Sequence, residues 1–79
     1  MTNFTLQQTL NVYDYIVQLY SIDNIVIDSS SLDTALLGLN DTSMPNDIVN
    51  VLTNIAGVYK IRILDLDNNL LLNSEKYLP

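Results

Sequence analysis

Apolar side chains recur at Leu6, Leu10, Tyr13, Val17 and Tyr20, in steps of three or four, behind the stretch Thr5-Leu6-Gln7-Gln8. That stretch has the form of a capping box, so the spacing predicts a first helix from Thr5 to Tyr20. From Ser21 to Met44 short apolar groups mix with Ser, Asp, Asn and Thr, the composition of a long connection with one helical turn around Leu32 to Leu37. Ile25, Val26 and Ile27 read either as a short strand or as anchors tying that connection to the core; periodicity does not separate the two.

A second helix is predicted from Met44 to Ala56. Ser43 stands in the cap position, Pro45 and Asp47 in the first turn, and Gly57 where a terminator belongs. The β-branched Ile48, Val49, Val51 and Ile55 lower its intrinsic propensity, so this helix depends on tertiary packing. The last stretch, VYKIRILDLDNNLLLNSEKYLP, has two readings. Strand-like residues from Tyr59 to Leu66, with Asn68-Asn69 at the positive-φ positions of a tight turn into Leu70 to Asn73, make a β-hairpin. Alternatively Ile61 and Ile63 form an extended anchor, Asp65 to Leu71 a short helix, and Ser74 to Leu78 a final helical turn. Taken locally, the hairpin is the better fit.

Composition narrows the picture. A chain of 79 residues without repeats or linkers is one domain, residues 1–79, near the smallest size that folds without staples. It has no Cys and no His, which removes disulfides, thiolate zinc sites and the usual base of a serine nucleophile. Nine Asp+Glu against three Lys+Arg leave a net charge of -6, which repels nucleic acid and anionic lipid and favours basic-surfaced protein partners. With 48% hydrophobic and 15% charged residues, the chain is no disordered acidic tail. No apolar run approaches the roughly 20 residues that span a bilayer. Met1-Thr2-Asn3 has no basic signal region, so a soluble cytoplasmic monomer is expected.

Candidate chemistry is sparse. Asp65, Asp67 and Asn69 alternate as the first ligands of an EF-hand loop do, but Leu70 replaces the turn glycine and Lys76 the bidentate glutamate, so a turn or cap is the reading. Carboxylate pairs arise by chance on so acidic a chain, and no catalytic pair or metal site is assigned; the protein is read as no enzyme. Tyr13, Tyr15 and Tyr20 suggest a base-stacking platform, yet two lie on the predicted apolar stripe and the domain is acidic, so they are assigned to packing. Ser43 is different. At a helix start, free N–H groups and the positive dipole end stabilise an attached phosphate, although an unmodified N-cap suits the position equally.

In this order of pieces the chain resembles the acyl and peptidyl carrier proteins, small acidic four-helix domains. Their pattern is a first helix, a long loop ending in Leu-Gly-x-Asp-Ser-Leu or Met, a second helix, then Ile-x-Ile and short closing helices. The matching pieces are Leu6 to Tyr20, YSIDNIVIDSSSLDTALLGL, Ser43-Met44, the run Ile48 to Ile55, and Ile61-Arg62-Ile63 followed by LDLDNN. Thr42 stands where the family has Asp, with Asp41 one residue earlier. The resemblance implies a covalent 4′-phosphopantetheine on Ser43, carrying an acyl or aminoacyl thioester, and no catalysis by the chain itself. It further implies that Asp41 and Asp47 meet basic patches on a phosphopantetheinyl transferase and acyl-processing enzymes, with Met44 and Ile48 at the apolar centre.

Residues 27–39, IDSSSLDTALLGL, are also similar to the Asp-Ser-Ser-Gly-Leu segment of anti-sigma-factor antagonist (STAS) domains. That likeness implies phosphorylation of Ser29, with Ser31 in place of the glycine. A third reading needs no family: a small acidic inhibitor or immunity-type module whose carboxylates occupy a basic groove, without a covalent arm. The leading expectation is a mainly helical, carrier-like four-helix bundle with its arm on Ser43. A small α+β domain closed by a C-terminal hairpin is the alternative.

Overall fold

The computed structural model describes residues 4–23 and 25–76. Strands β1 (Phe4–Val12), β2 (Tyr15–Ile22), β3 (Lys60–Asp65) and β4 (Leu70–Glu75) form one antiparallel sheet in the order β1-β2-β3-β4. Two short helices, α1 (Ser29–Leu36) and α2 (Pro45–Leu52), both lie in the connection between β2 and its neighbour β3. This overturns the expected four-helix bundle: the domain is a meander of strands with a two-helix insertion.

The first predicted helix is the largest correction. Residues 5 to 20 fold as β1, a tight turn at Tyr13-Asp14 and most of β2, with Val12 opposite Tyr15 across the turn. Along β2, Tyr15, Val17, Leu19 and Ser21 alternate with Ile16, Gln18, Tyr20 and Ile22; Val17, Leu19 and Ser21 are fully buried. That is the period of two of a strand. A bulge between Leu6 and Gln8 shifts the phase of β1, so Leu10 sits opposite core residue Val17 while Leu6 sits opposite Tyr20 on the other face. The steps of three and four thus come from two strands, a bulge and a turn laid end to end.

The core lies between the helices and one face of the sheet. It joins Val12, Val17, Leu19, Ile61 and Ile63 of the strands to Leu32 of α1, Ile48 and Leu52 of α2, and Ile27, Leu39, Ile55 and Val58 of the connections. Of the Ile25-Val26-Ile27 triplet, only Ile27 is an anchor; the other two are exposed and none belongs to a strand. The single predicted helical turn near Leu32 becomes α1, which starts earlier at Ser29. The second predicted helix forms but stops at Leu52, with Thr53 as its C-cap, leaving residues 53–58 to turns that lead into β3.

Gly57 therefore ends no helix. It has φ +93, and a Cβ there would lie 2.9 Å from the Val26 carbonyl oxygen and 3.2 Å from Ile27 Cα. Two connections of the domain cross at this point, and only glycine lets their backbones approach so closely.

The C-terminal hairpin forms as β3 and β4. The short helix and the closing helical turn are absent: Ser74 and Glu75 belong to β4, while residues 77 and 78 lie outside the described residues. Asn68 takes φ +68. The turn around Asn68 is organised by Asp65, whose carboxylate accepts from the Asp67 N–H (2.9 Å), the Asn69 N–H (2.9 Å) and Asn69 Nδ2 (3.1 Å). The bonds from the Asn69 backbone and side chain hold the Asp65 carboxyl below its ordinary value of 3.8. A carboxyl with a lowered folded value adds stability above its unfolded value and loses it as pH falls through the folded one. Thermal midpoints measured from pH 5 downward are expected to fall less steeply in Asp65→Asn than in the parent; parallel curves would show that this turn carries no titrating contribution.

Candidate functional site

The residues assigned a role from sequence fall into two groups. Ser43, Asp41, Met44 and Asp47 share the link between the helices and the first turn of α2. Ile48 is fully buried against the sheet. It packs in the core, away from the surface where a contact was expected.

Ser43 is not the cap of α2. Met44 is, and its N–H donates to Asp47 Oδ2 at 2.9 Å, the returning half of a capping box. Ser43 Oγ instead accepts from the Asn40 N–H at 3.0 Å, while the Ser43 N–H donates to the Asn40 carbonyl at 3.0 Å. The Asn40 side chain in turn accepts from the Thr42 N–H and hydroxyl at 2.9 and 2.6 Å. Ser43 is thus a half-buried turn residue with its oxygen engaged. These surroundings do not fit a phosphopantetheine phosphate. The Asp47 carboxylate already occupies the N-terminus of α2, and an attached phosphate would meet like charge there.

Ser29 is the exposed first residue of α1. Its neighbours Ser30 and Ser31 turn their hydroxyls to Asp28, Ser31 Oγ donating to Asp28 Oδ2 at 2.6 Å. The Ser31 hydroxyl is the largest influence holding the Asp28 carboxyl below its ordinary value. Asp65, Asp67 and Asn69 build the hairpin turn described above. Among the described residues, no cluster of His, Cys, Asp or Glu is placed to hold a metal ion, and no cavity is enclosed.

What sequence reasoning missed is how the folded chain sorts its charges. Residues 25–59, the whole helical side, contain Asp28, Asp33, Asp41 and Asp47 and no Lys or Arg. Lys60 and Arg62 lie on β3, and Lys76 follows β4. Amid the acids of the helical side, Leu37 is 85% exposed and Met44 59% exposed, at either end of the link that also carries Asp41. The signal was present as the absence of any base across residues 25–59, but a helical-bundle reading scatters those acids around the domain.

No helix among the described residues is long and apolar enough to cross a membrane. No family model, curated protein or solved structure matches the chain.

Proposed function

We propose that the protein is a small acidic binding module that docks on a basic-surfaced protein through its helical side, without a covalent arm. One observation carries this reading: the stretch from residue 25 to residue 59 holds acids and no base, with Lys76 over the Tyr59 ring only at its end, and it exposes Leu37 and Met44 near Asp41 and Asp47 in the chain. Charge of one sign steers a basic partner into contact and makes association fast and salt-sensitive, while protruding apolar side chains supply the buried centre that a stable contact needs. An inhibitor or immunity-type protein that blocks a basic groove is the form of activity this arrangement suits.

The test is a partner screen by cross-linking in which parent protein and the double variant Asp41→Asn, Asp47→Asn compete for the same captured protein. The expected partner is basic, binds the parent at least about tenfold more tightly, and weakens steeply between low and physiological salt. Met44→Ala is expected to raise the dissociation rate at constant salt sensitivity. A partner that binds parent and double variant alike overturns the proposal, as does addition of a phosphopantetheine arm to Ser43 by a promiscuous transferase, read as a mass increase absent from Ser43→Ala.

A further inference from the structure

The face of the sheet turned away from the helices is a second, chemically different surface. Its side chains form three rows across the four strands: Leu6, Tyr20, Lys60 and Glu75; then Thr9, Gln18, Arg62 and Asn73; then Asn11, Ile16, Leu64 and Leu70. None of these residues belongs to the core cluster between sheet and helices. Rows on one face are two residues apart along each strand, about 7 Å. The first row sets Leu6 and Tyr20 beside the Lys60–Glu75 ion pair, the middle row is polar, and the third is apolar apart from Asn11, with Leu64 buried and Leu70 exposed.

The two cations on this face have different surroundings. Lys60 is satisfied within the chain: its Nζ lies 3.4 Å from a Glu75 carboxylate oxygen, 5.1 Å from the centre of the Tyr20 ring and 5.5 Å from that of Phe4. Arg62, at the middle of the central row, is half-buried between the neutral side chains of Gln18 and Asn73 and forms no ion pair with any described residue. This happens in a chain with nine carboxylates, all of them elsewhere than beside Arg62 in its row. A guanidinium is a planar fork of N–H donors that matches a carboxylate in a bidentate pair. Leaving that fork uncovered at the centre of a partly apolar face supplies the charge half of a recognition site.

We infer that the open face of the sheet binds an acidic peptide segment of a second protein, with a partner carboxylate on Arg62 and partner apolar side chains on Leu6 and Tyr20 to one side and on Ile16 and Leu70 to the other. A helical partner that carries Asp or Glu with Leu-type residues three or four positions before and after it spaces them about 5–6 Å apart, somewhat inside the row spacing of about 7 Å and within reach of the long Leu6, Tyr20 and Leu70 side chains. This site is independent of the acidic helical side, so the two faces bind partners of opposite charge. A second copy seated face to face would set Arg62 near Arg62, which disfavours that occupant.

The probes are three short synthetic helical peptides with Leu-x-x-Glu-x-x-Leu on one face, differing only in whether Glu, Gln or Lys stands at the centre. Each is titrated into the whole isotope-labelled chain and followed by amide chemical shifts. The expected result is binding of the Glu peptide alone, with shifts confined to Gln18, Tyr20, Arg62, Asn73 and their neighbours and none at Asp41 or Asp47. Arg62→Gln is expected to weaken it about tenfold, the loss of a charge-assisted pair. Asn73→Asp, which keeps Arg62 and places a carboxylate opposite it, is expected to block the same peptide and keeps the test valid if Arg62→Gln does not fold.

Equal binding of the three peptides, or shifts centred on residues 28–47, overturns the inference. Concentration-dependent shifts on this face without peptide overturn it in favour of self-association. The Asp41→Asn, Asp47→Asn variant is expected to bind the Glu peptide unchanged, which separates failure here from failure of the proposed helical-side contact.

Discussion

Gly57→Ala is expected to cost about 2–4 kcal/mol, a sizeable part of the stability of so small a domain. Two independent penalties combine. The backbone at φ +93 is one that an L side chain rarely adopts, and the new Cβ would stand 2.9 Å from the Val26 carbonyl oxygen. Neither neighbour has slack: Val26 and Ile27 are backbone contacts, and Ile27, Ile55 and Val58 around the crossing are all core residues. Gly38 is the control, since its Cβ would meet only the Ala35 carbonyl oxygen at 3.3 Å and no left-handed φ is required. Urea unfolding is expected to show Gly38→Ala within about 1 kcal/mol of the parent. Equal losses at the two glycines would mean that the approach of residue 57 to residues 26 and 27 is not part of the fold.

Leu19→Ala is expected to cost about 2–5 kcal/mol through the cavity it leaves, and Tyr20→Ala distinctly less. Leu19 is fully buried in the centre of β2, opposite Ile61 of β3. A domain of 79 residues has roughly 4–12 kcal/mol in total, so the Leu19 variant is expected to lose a large share of its stability. The pair also discriminates between architectures. On a helix with its stripe at Leu6, Leu10, Tyr13, Val17 and Tyr20, Leu19 would face away from the core and Tyr20 into it, so the order of the two losses would reverse. Urea midpoints for the two variants settle which residue of the adjacent pair faces inward.

The elements that were legible in the sequence are those whose local chemistry agrees with their final environment. Pro45 and Asp47 mark the start of α2 because a proline in the first turn and an acid near the N–H groups serve any helix, whatever it packs against. The closing hairpin was legible for the same reason, since Asn68 tolerates a positive φ and Asp65 caps a turn by itself.

The first hairpin was hidden by two irregularities. Its turn places Tyr13 at φ 55, a conformation for which Gly or Asn is the usual signal, and the bulge at Gln7 breaks the alternation of β1. What remained visible was a run of apolar residues at helical steps. The counter-signal was the dense β-branched and aromatic content of Tyr15 to Tyr20; the alternation of β2 shows only in its burial, because apolar Ile16, Tyr20 and Ile22 face outward and polar Ser21 faces inward.

The candidate sites follow the same division. Asp41, Met44 and Asp47 are neighbours in sequence, so their grouping needed no tertiary structure, and all three are exposed. Ile48, expected at the surface, is buried because the exposed and buried sides of a short helix are set by the sheet it covers, which sequence reading had not placed. The open face around Arg62 was invisible for a stronger reason: its rows draw on four strands that are distant in sequence, and they exist only once the register of the sheet is known.

That residues 4–22 form two strands of a sheet completed by residues 60–75 is the claim on which both binding surfaces depend, and backbone nuclear Overhauser contacts test it most directly. Cross-strand contacts are expected to link Leu10 to Val17, Val17 to Ile63 and Ile63 to Leu72. A continuous series of contacts between residues three apart from Thr5 to Tyr20, with no contact from Val17 to Ile63, would contradict it.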